Sequence, residues 1–236
     1  MERRRFVISL ALMPLGAAAS SQEASPGLAA DAALARLMEG NRRYVQHKAK
    51  HPDESLSRRK ELEGSQHPFA VILGCADSRV PPELLFDQGL GDLFVIRVAG
   101  NIVDDAILGS IEYAVEHLGT KLILVLGHEK CGAVTAAVEG GAAAGHLPAL
   151  VEAIRPVVSA TANMPGDKVH NCVLENARRV ARQVRQSEPV LNEAGERKGL
   201  KVVAADYALD TGAVTLLDVG SVPPAPSATG WNRPQK

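Results

Sequence analysis

Two short stretches carry the chemistry of this chain: Cys75-Ala-Asp-Ser-Arg79 and His128-Glu-Lys-Cys131. Thiolate and imidazole are preferred zinc ligands, and Cys75, His128 and Cys131 provide three of them, enough for one Zn2+ per chain. Three protein ligands leave the fourth tetrahedral position open to water, which is the arrangement of catalytic rather than structural zinc. Asp77 and Arg79 lie in the first stretch with Cys75. Their i, i+2, i+4 spacing puts all three on one side of an extended backbone. A carboxylate there either fills the fourth position or accepts a hydrogen bond from bound water. Arg79 can pair with it through two parallel hydrogen bonds, keep it ionised and limit its approach to the metal. The plain alternative is a surface Asp–Arg pair worth little.

Both stretches follow apolar runs that read as buried strands, over 69–74 and 121–127. Further strands are expected over 93–97, 200–207 and 213–218. Helices are expected after Pro81-Pro82 and over 104–118, 132–139, 147–160 and 167–187. Alternating β and α units with continuous apolar strands imply a parallel sheet covered on both faces. Asp210-Thr211-Gly212 turns the last two strands into a hairpin. The fold class is therefore α/β: a central, mostly parallel sheet of four parallel strands plus an antiparallel edge strand, flanked by helices. Two more helices, over 28–46 and 52–63, form an N-terminal helical arm. They have little to bury against each other, so they must pack on the core or on another chain. Cys75 and His128 are 53 positions apart. They converge if their strands are neighbours, because open α/β sheets place their sites at the carboxyl ends of strands. Cys131 begins the next helix, where the helix N-terminus favours the thiolate.

The chain has 236 residues and a net charge of −1, so no basic footprint points to nucleic acid. Residues 1–19 read as a signal peptide: Glu2-Arg3-Arg4-Arg5, an apolar run over 6–19 and the small residues Ala17-Ala18-Ala19. The run is shorter than the ~20 residues of a spanning helix, so no stable membrane insertion is expected. Arg3-Arg4-Arg5-Phe6-Val7 also resembles a twin-arginine signal. The expected destination is periplasmic or secreted. The remaining divisions are a leader and N-terminal helical arm over 20–64, an α/β domain carrying the candidate zinc ligands over 65–220 and a Pro-rich tail over 221–236. Residues 140–145, all glycine and alanine, form a connector. The odd count of three cysteines, two of them just after strands, favours metal over a disulfide. Cys172, within a helical stretch, reads as a buried structural thiol.

Cys-x-Asp-x-Arg followed by His-x-x-Cys, at this spacing and behind such strands, resembles the signature of the β-class carbonic anhydrases, here in an exported bacterial form. The resemblance extends over 66–217 and includes Arg97-Val98-Ala99-Gly100-Asn101, Ile111-Glu112-Tyr113, Asp206-Tyr207 and Thr211-Gly212-Ala213-Val214. Asn41-Arg42-Arg43-Tyr44 falls where the family has its Asn-x-x-aromatic element, and the two N-terminal helices resemble its dimer-embracing arm. The resemblance implies that Cys75, His128 and Cys131 hold zinc and that Asp77 and Arg79 gate and orient a zinc-bound hydroxide. It implies CO2 and bicarbonate as substrates of reversible hydration, with Gln66 donating a hydrogen bond to substrate. It also implies Phe94 and Tyr113 as apolar pocket walls from a partner protomer, and Gly132 as a close backbone approach to the site. A homodimer or a higher multiple of dimers follows.

One position departs from the family pattern. Members with a regulatory bicarbonate pocket carry Trp three residues before the first cysteine, where this chain has Ile72. Arg97 matches the arginine of that pocket, but without the Trp the expected type is constitutively open, with water rather than Asp77 on zinc at neutral pH. The rival readings are a carbonyl sulfide or carbon disulfide hydrolase on the same fold, and a non-catalytic protein in which Asp77 closes a structural zinc site. A dinucleotide enzyme is remote, because no G-x-G-x-x-G follows the first strand.

Overall fold

The apolar runs become the strands β1 (Ala70–Gly74), β2 (Leu93–Arg97), β3 (Leu122–His128), β4 (Lys201–Tyr207) and β5 (Val214–Leu217), joined in one sheet of order β2-β1-β3-β4-β5. The first four run parallel and β5 is antiparallel to β4. The computed structural model describes residues 27–141 and 144–219. The expected signal segment at 1–19, the leader to residue 26, part of the 140–145 connector and the Pro-rich tail lie outside the described residues.

Every residue of β1 and β3 is buried, as central strands of a sheet covered on both faces require. Residues along each strand alternate between the two faces. Val71, Leu73, Ile123 and Val125 face one core with residues of α4 (Asp105–Glu116), α7 (Lys168–Gln186) and α8 (Val190–Arg197). Ala70, Ile72, Leu122 and Leu124 face the other, with residues of α1 (Ala30–Val45) and α3 (Pro82–Leu85). A third cluster gathers around Cys75 and Cys131. It draws on α5 (Gly132–Glu139), α6 (Leu147–Thr161) and the first turns of α7. β2 forms the open edge, and its residues are only partly buried.

α1 belongs to the core of its own chain, burying Ala33 and Leu37 against the sheet. Asn41 Nδ2 donates to the carbonyls of Leu85 (3.0 Å) and Gly212 (2.9 Å), and its Oδ1 accepts from Val214 N (2.9 Å). The Tyr44 ring lies against Gly212, whose φ is +74°; a Cβ there would stand 2.7 Å from Tyr44 Cε1. The Asn-x-x-aromatic element thus stitches α1 to the β4–β5 hairpin.

The second N-terminal helix is shorter than expected. α2 spans Leu56–Glu61, because His51 and Asp53 adopt positive φ (49° and 57°) and Ser55 caps the helix by accepting from Arg58 N. α2 buries none of its residues. α8 was not expected, although Leu191 and Ala194, three apart, mark its buried face. Among the described residues no helix is long and apolar enough to cross a membrane.

Candidate metal centre

The convergence of the two motifs is a matter of register. β1 pairs directly with β3, Gly74 lying opposite Leu126, so Cys75 leaves its strand beside the last residues of β3. His128 ends β3, and Cys131 caps α5 one turn later. The ligand atoms of Cys75, His128 and Cys131 all lie within 4.8 Å of one another, and all three residues are buried.

These residues fit zinc. The two sulfurs are 3.9 Å apart. Two sulfurs at ~2.3 Å from a tetrahedral zinc stand about 3.8 Å apart. His128 Nδ1 donates to the Glu129 carbonyl at 2.8 Å, which leaves the Nε2 lone pair facing inward. Nε2 is buried without a hydrogen-bond partner, a cost that a metal ion removes. The Cys75 and Cys131 sulfurs are hydrogen-bonded to each other, so whichever thiol ionises first is stabilised by the one that keeps its proton, and the second is harder to ionise. Burial disfavours a charged His128, but the Cys75 sulfur and the Asp77 carboxylate raise its pKa on balance.

Asp77 contributes no atom to that group. Arg79 grips it through Nε to Oδ1 (2.9 Å) and Nη2 to Oδ2 (2.8 Å), and the Arg79 backbone N–H adds a bond to Oδ1 (2.9 Å). The guanidinium holds the Asp77 carboxyl far below the usual carboxylate range, against the opposing effect of burial. A carboxylate restrained in this way suits an open fourth position better than a closed structural site.

Two residues around Cys75 have roles that motif reading missed. Arg97 donates through Nε to the Cys75 carbonyl (2.9 Å) and through Nη2 to the Asp77 carbonyl (2.5 Å), clamping the Cys75–Asp77 loop. Ile72, where a pocket tryptophan would stand, is fully buried in the sheet core. Gly100 donates its backbone N–H to Cys75 Sγ at 3.3 Å. The glycine of Arg97-Val98-Ala99-Gly100-Asn101 was the available signal for this contact.

The other expected site residues do not meet the metal group within one chain. Gln66 is exposed and precedes β1, whereas Cys75 follows it. The neighbouring Pro68 and Phe69 bond to Thr120 and Asp92 at the amino ends of β3 and β2, so Gln66 lies at the opposite end of the sheet. Phe94, on edge strand β2, pairs with Tyr113 of α4 at a ring separation of 6.3 Å, and Tyr113 is 47% exposed. Gly132 opens α5, and a Cβ there would meet nothing within 4 Å, so packing inside one chain does not demand glycine. Cys172 is buried and bonds to Thr161 Oγ1.

Residues 70–214 match the family model described as carbonic anhydrase. Carbonic anhydrase 2 of Mycobacterium tuberculosis strain H37Rv is 40% identical over 196 residues, 81% of this chain and 95% of that protein. The carbonic anhydrase of Mycolicibacterium smegmatis is 38% identical over 199 residues, covering 81% and 97%. Among solved structures, a tetrameric β-carbonic anhydrase of Sordaria macrospora superposes with a TM-score of 0.66 at 27% identity, covering 80% of this chain and 98% of its own. The Coccomyxa β-carbonic anhydrase in complex with acetazolamide gives 0.62 at 32% identity, covering 78% and 86%.

Proposed function

The chain belongs to the β-class carbonic anhydrases, which hydrate CO2 reversibly to bicarbonate and a proton, and from that premise we propose how its residues divide the work. The observation that carries the reading is the orphaned His128 Nε2 facing two cysteine sulfurs, beside a carboxylate held off by Arg79. Zinc held by Cys75, His128 and Cys131 supplies a Lewis acid that brings the pKa of water to about 7. Asp77, kept ionised by Arg79, is an acceptor only, so beside the metal group it would accept a hydrogen bond from water and repel a bare anion. Arg97 holds the loop that carries both Cys75 and Asp77.

Gln66, Phe94 and Tyr113 serve a pocket that a second copy of the chain completes. They lie away from the metal group in one chain, and Tyr113 and Leu56 of α2 (70% exposed) face outward. The Sordaria relative is described as tetrameric. A homodimer, or a multiple of it, with α2 in the arm, accounts for these positions. Residues 1–19 direct the chain to the periplasm or outside the cell, which fractionation of cells expressing the full chain tests.

Stopped-flow CO2 hydration at pH 8.5, with zinc content determined, tests the function. Fast hydration with one zinc per chain is expected, and zinc bound without hydration would overturn it. Mixing Gln66→Ala chains with Cys75→Ser chains tests the shared pocket. Neither is active alone, and random C2 pairing restores about a quarter of the wild-type activity. No recovery on mixing would place Gln66 outside a shared site.

A further inference from the structure

Asn176 is a polar residue on the apolar face of α7. It is 0% exposed, between Val173 and Ala177 on a helix that otherwise buries Cys172, Val180, Ala181 and Val184. Burying an amide there is costly unless its hydrogen bonds do something a hydrocarbon cannot. Nδ2 donates to the Gly100 carbonyl at 2.8 Å, across 76 residues of sequence. Oδ1 has no partner. The amide orientation follows from its neighbour, since the flipped form would set Oδ1 against the Gly100 carbonyl.

Gly100 stands at the centre of a short 3-10 turn, Ala99–Asn101, with φ 74° and ψ 15°. A side chain there would collide with Ile154 Cδ1 at 2.8 Å and crowd Ala133 Cβ at 3.2 Å. The turn is tied behind by Val98 N to Gly74 O and by Asn101 N to Val98 O. Its forward face carries the Gly100 N–H, which points at Cys75 Sγ. The Gly100 carbonyl shares its peptide plane with the Asn101 N–H, and the Gly100 N–H lies in the preceding plane, joined to it by φ and ψ at one Cα. With Val98 N and Asn101 N also bonded, the Asn176 anchor limits how far the Gly100 N–H can swing from Cys75 Sγ.

We infer that Asn176 is a positioning residue of the metal centre: by anchoring the Gly100 carbonyl it aims the Gly100 N–H at the Cys75 sulfur and so tunes that ligand toward zinc. An N–H donor on a thiolate withdraws charge from sulfur and fixes the direction of its lone pairs. Outer partners of this kind govern both affinity and Lewis acidity. The inference rests on Cys75 being a zinc ligand, and the test separates the two claims.

In the 113Cd-loaded wild-type protein, cadmium couples to the Cys75 β-protons if Cys75 is a ligand. It couples to the Gly100 amide proton through sulfur if the N–H···S bond is present. Both couplings are expected. In Asn176→Leu, branched at the same carbon, bulkier and unable to donate, the Gly100 coupling is lost and zinc binding weakens about tenfold. In the cobalt-substituted variant the sulfur-to-metal charge-transfer band moves to lower energy. Coupling to Cys75 without coupling to Gly100 in the wild type overturns the inference, with no need for a folded variant. So does an Asn176→Leu protein that keeps the Gly100 coupling and wild-type zinc affinity. Absence of coupling to Cys75 removes the ligand assignment, and the inference with it.

Discussion

The Asp77 carboxylate comes within 4.0 Å of His128 Nε2, too far to share a tetrahedral zinc as a direct neighbour, while Arg79 occupies both of its oxygens. At zinc, ligand nitrogen and oxygen each lie at ~2.0–2.2 Å from the metal and so about 3.4 Å from each other. The arginine thus holds the carboxylate where it stands, off the metal group.

Arg79→Ala removes that restraint. CO2 hydration is expected to fall about 10–100-fold while zinc content stays at one per chain. Stopped-flow rates with metal analysis check this, and an unchanged kcat/KM would show that the pair has no part in the reaction.

Asp87 links stability to pH. Its buried carboxylate accepts from Arg43 Nε at 2.5 Å and from the backbone N–H groups of Lys50 and His51, each at 2.9 Å to Oδ1. Burial alone would raise its pKa, but these donors lower it below the ordinary value. The unfolded carboxyl titrates near ~3.9, so the contribution is complete above that pH and fades as pH falls through the lower folded value. Asp87→Asn is expected to lower Tm most at pH 6–7, and the gap to wild type should close below about pH 4. Thermal melts across pH 3–7 read it. A gap of constant size would disprove the assignment.

Asn41→Ala cuts three bonds that join α1, α3 and the β4–β5 hairpin. Leaving those backbone groups without partners should cost about 2–4 kcal/mol of unfolding free energy. Zinc content and turnover per folded chain should hold. Urea unfolding beside metal analysis separates the two, and loss of zinc at full fold would contradict the purely structural role.

Cys172→Ala should leave one zinc per chain and wild-type hydration, with a loss of about 1–2 kcal/mol for the small void and the broken bond to Thr161. A zinc stoichiometry below one would make Cys172 part of the centre.

The chemistry of the site was legible because Cys75 and His128 lie at strand ends, where an apolar run is easy to read and the next residue is placed by the sheet, and Cys131 follows three residues later at the cap of α5. Asp77 and Arg79 were legible for the same reason, being local to Cys75. Gln66 was assigned to the same site by resemblance. Within one chain the five residues of β1 span about 17 Å and set Gln66 and Cys75 at opposite ends of the sheet. The contact from Asn176 to Gly100 crosses 76 residues and has no local signature. Arg97 matched a regulatory pocket by position, whereas the structure occupies its guanidinium with the carbonyls of Cys75 and Asp77. α8 escaped notice because its buried stripe is only Leu191 and Ala194.

β1 and β3 bring Cys75 and His128 together by pairing two wholly buried strands. Small zinc domains fold only when the ion arrives. Here the strands that carry Cys75 and His128 are also the interior of an apolar sheet, so burial favours their pairing independently of any ion at their carboxyl ends. Chelating the zinc is then expected to leave the far-UV circular dichroism of the chain unchanged, and a cooperative loss of that signal on chelation would show that the fold needs the ion. On that expectation zinc supply would set how many chains are at work, not how many survive.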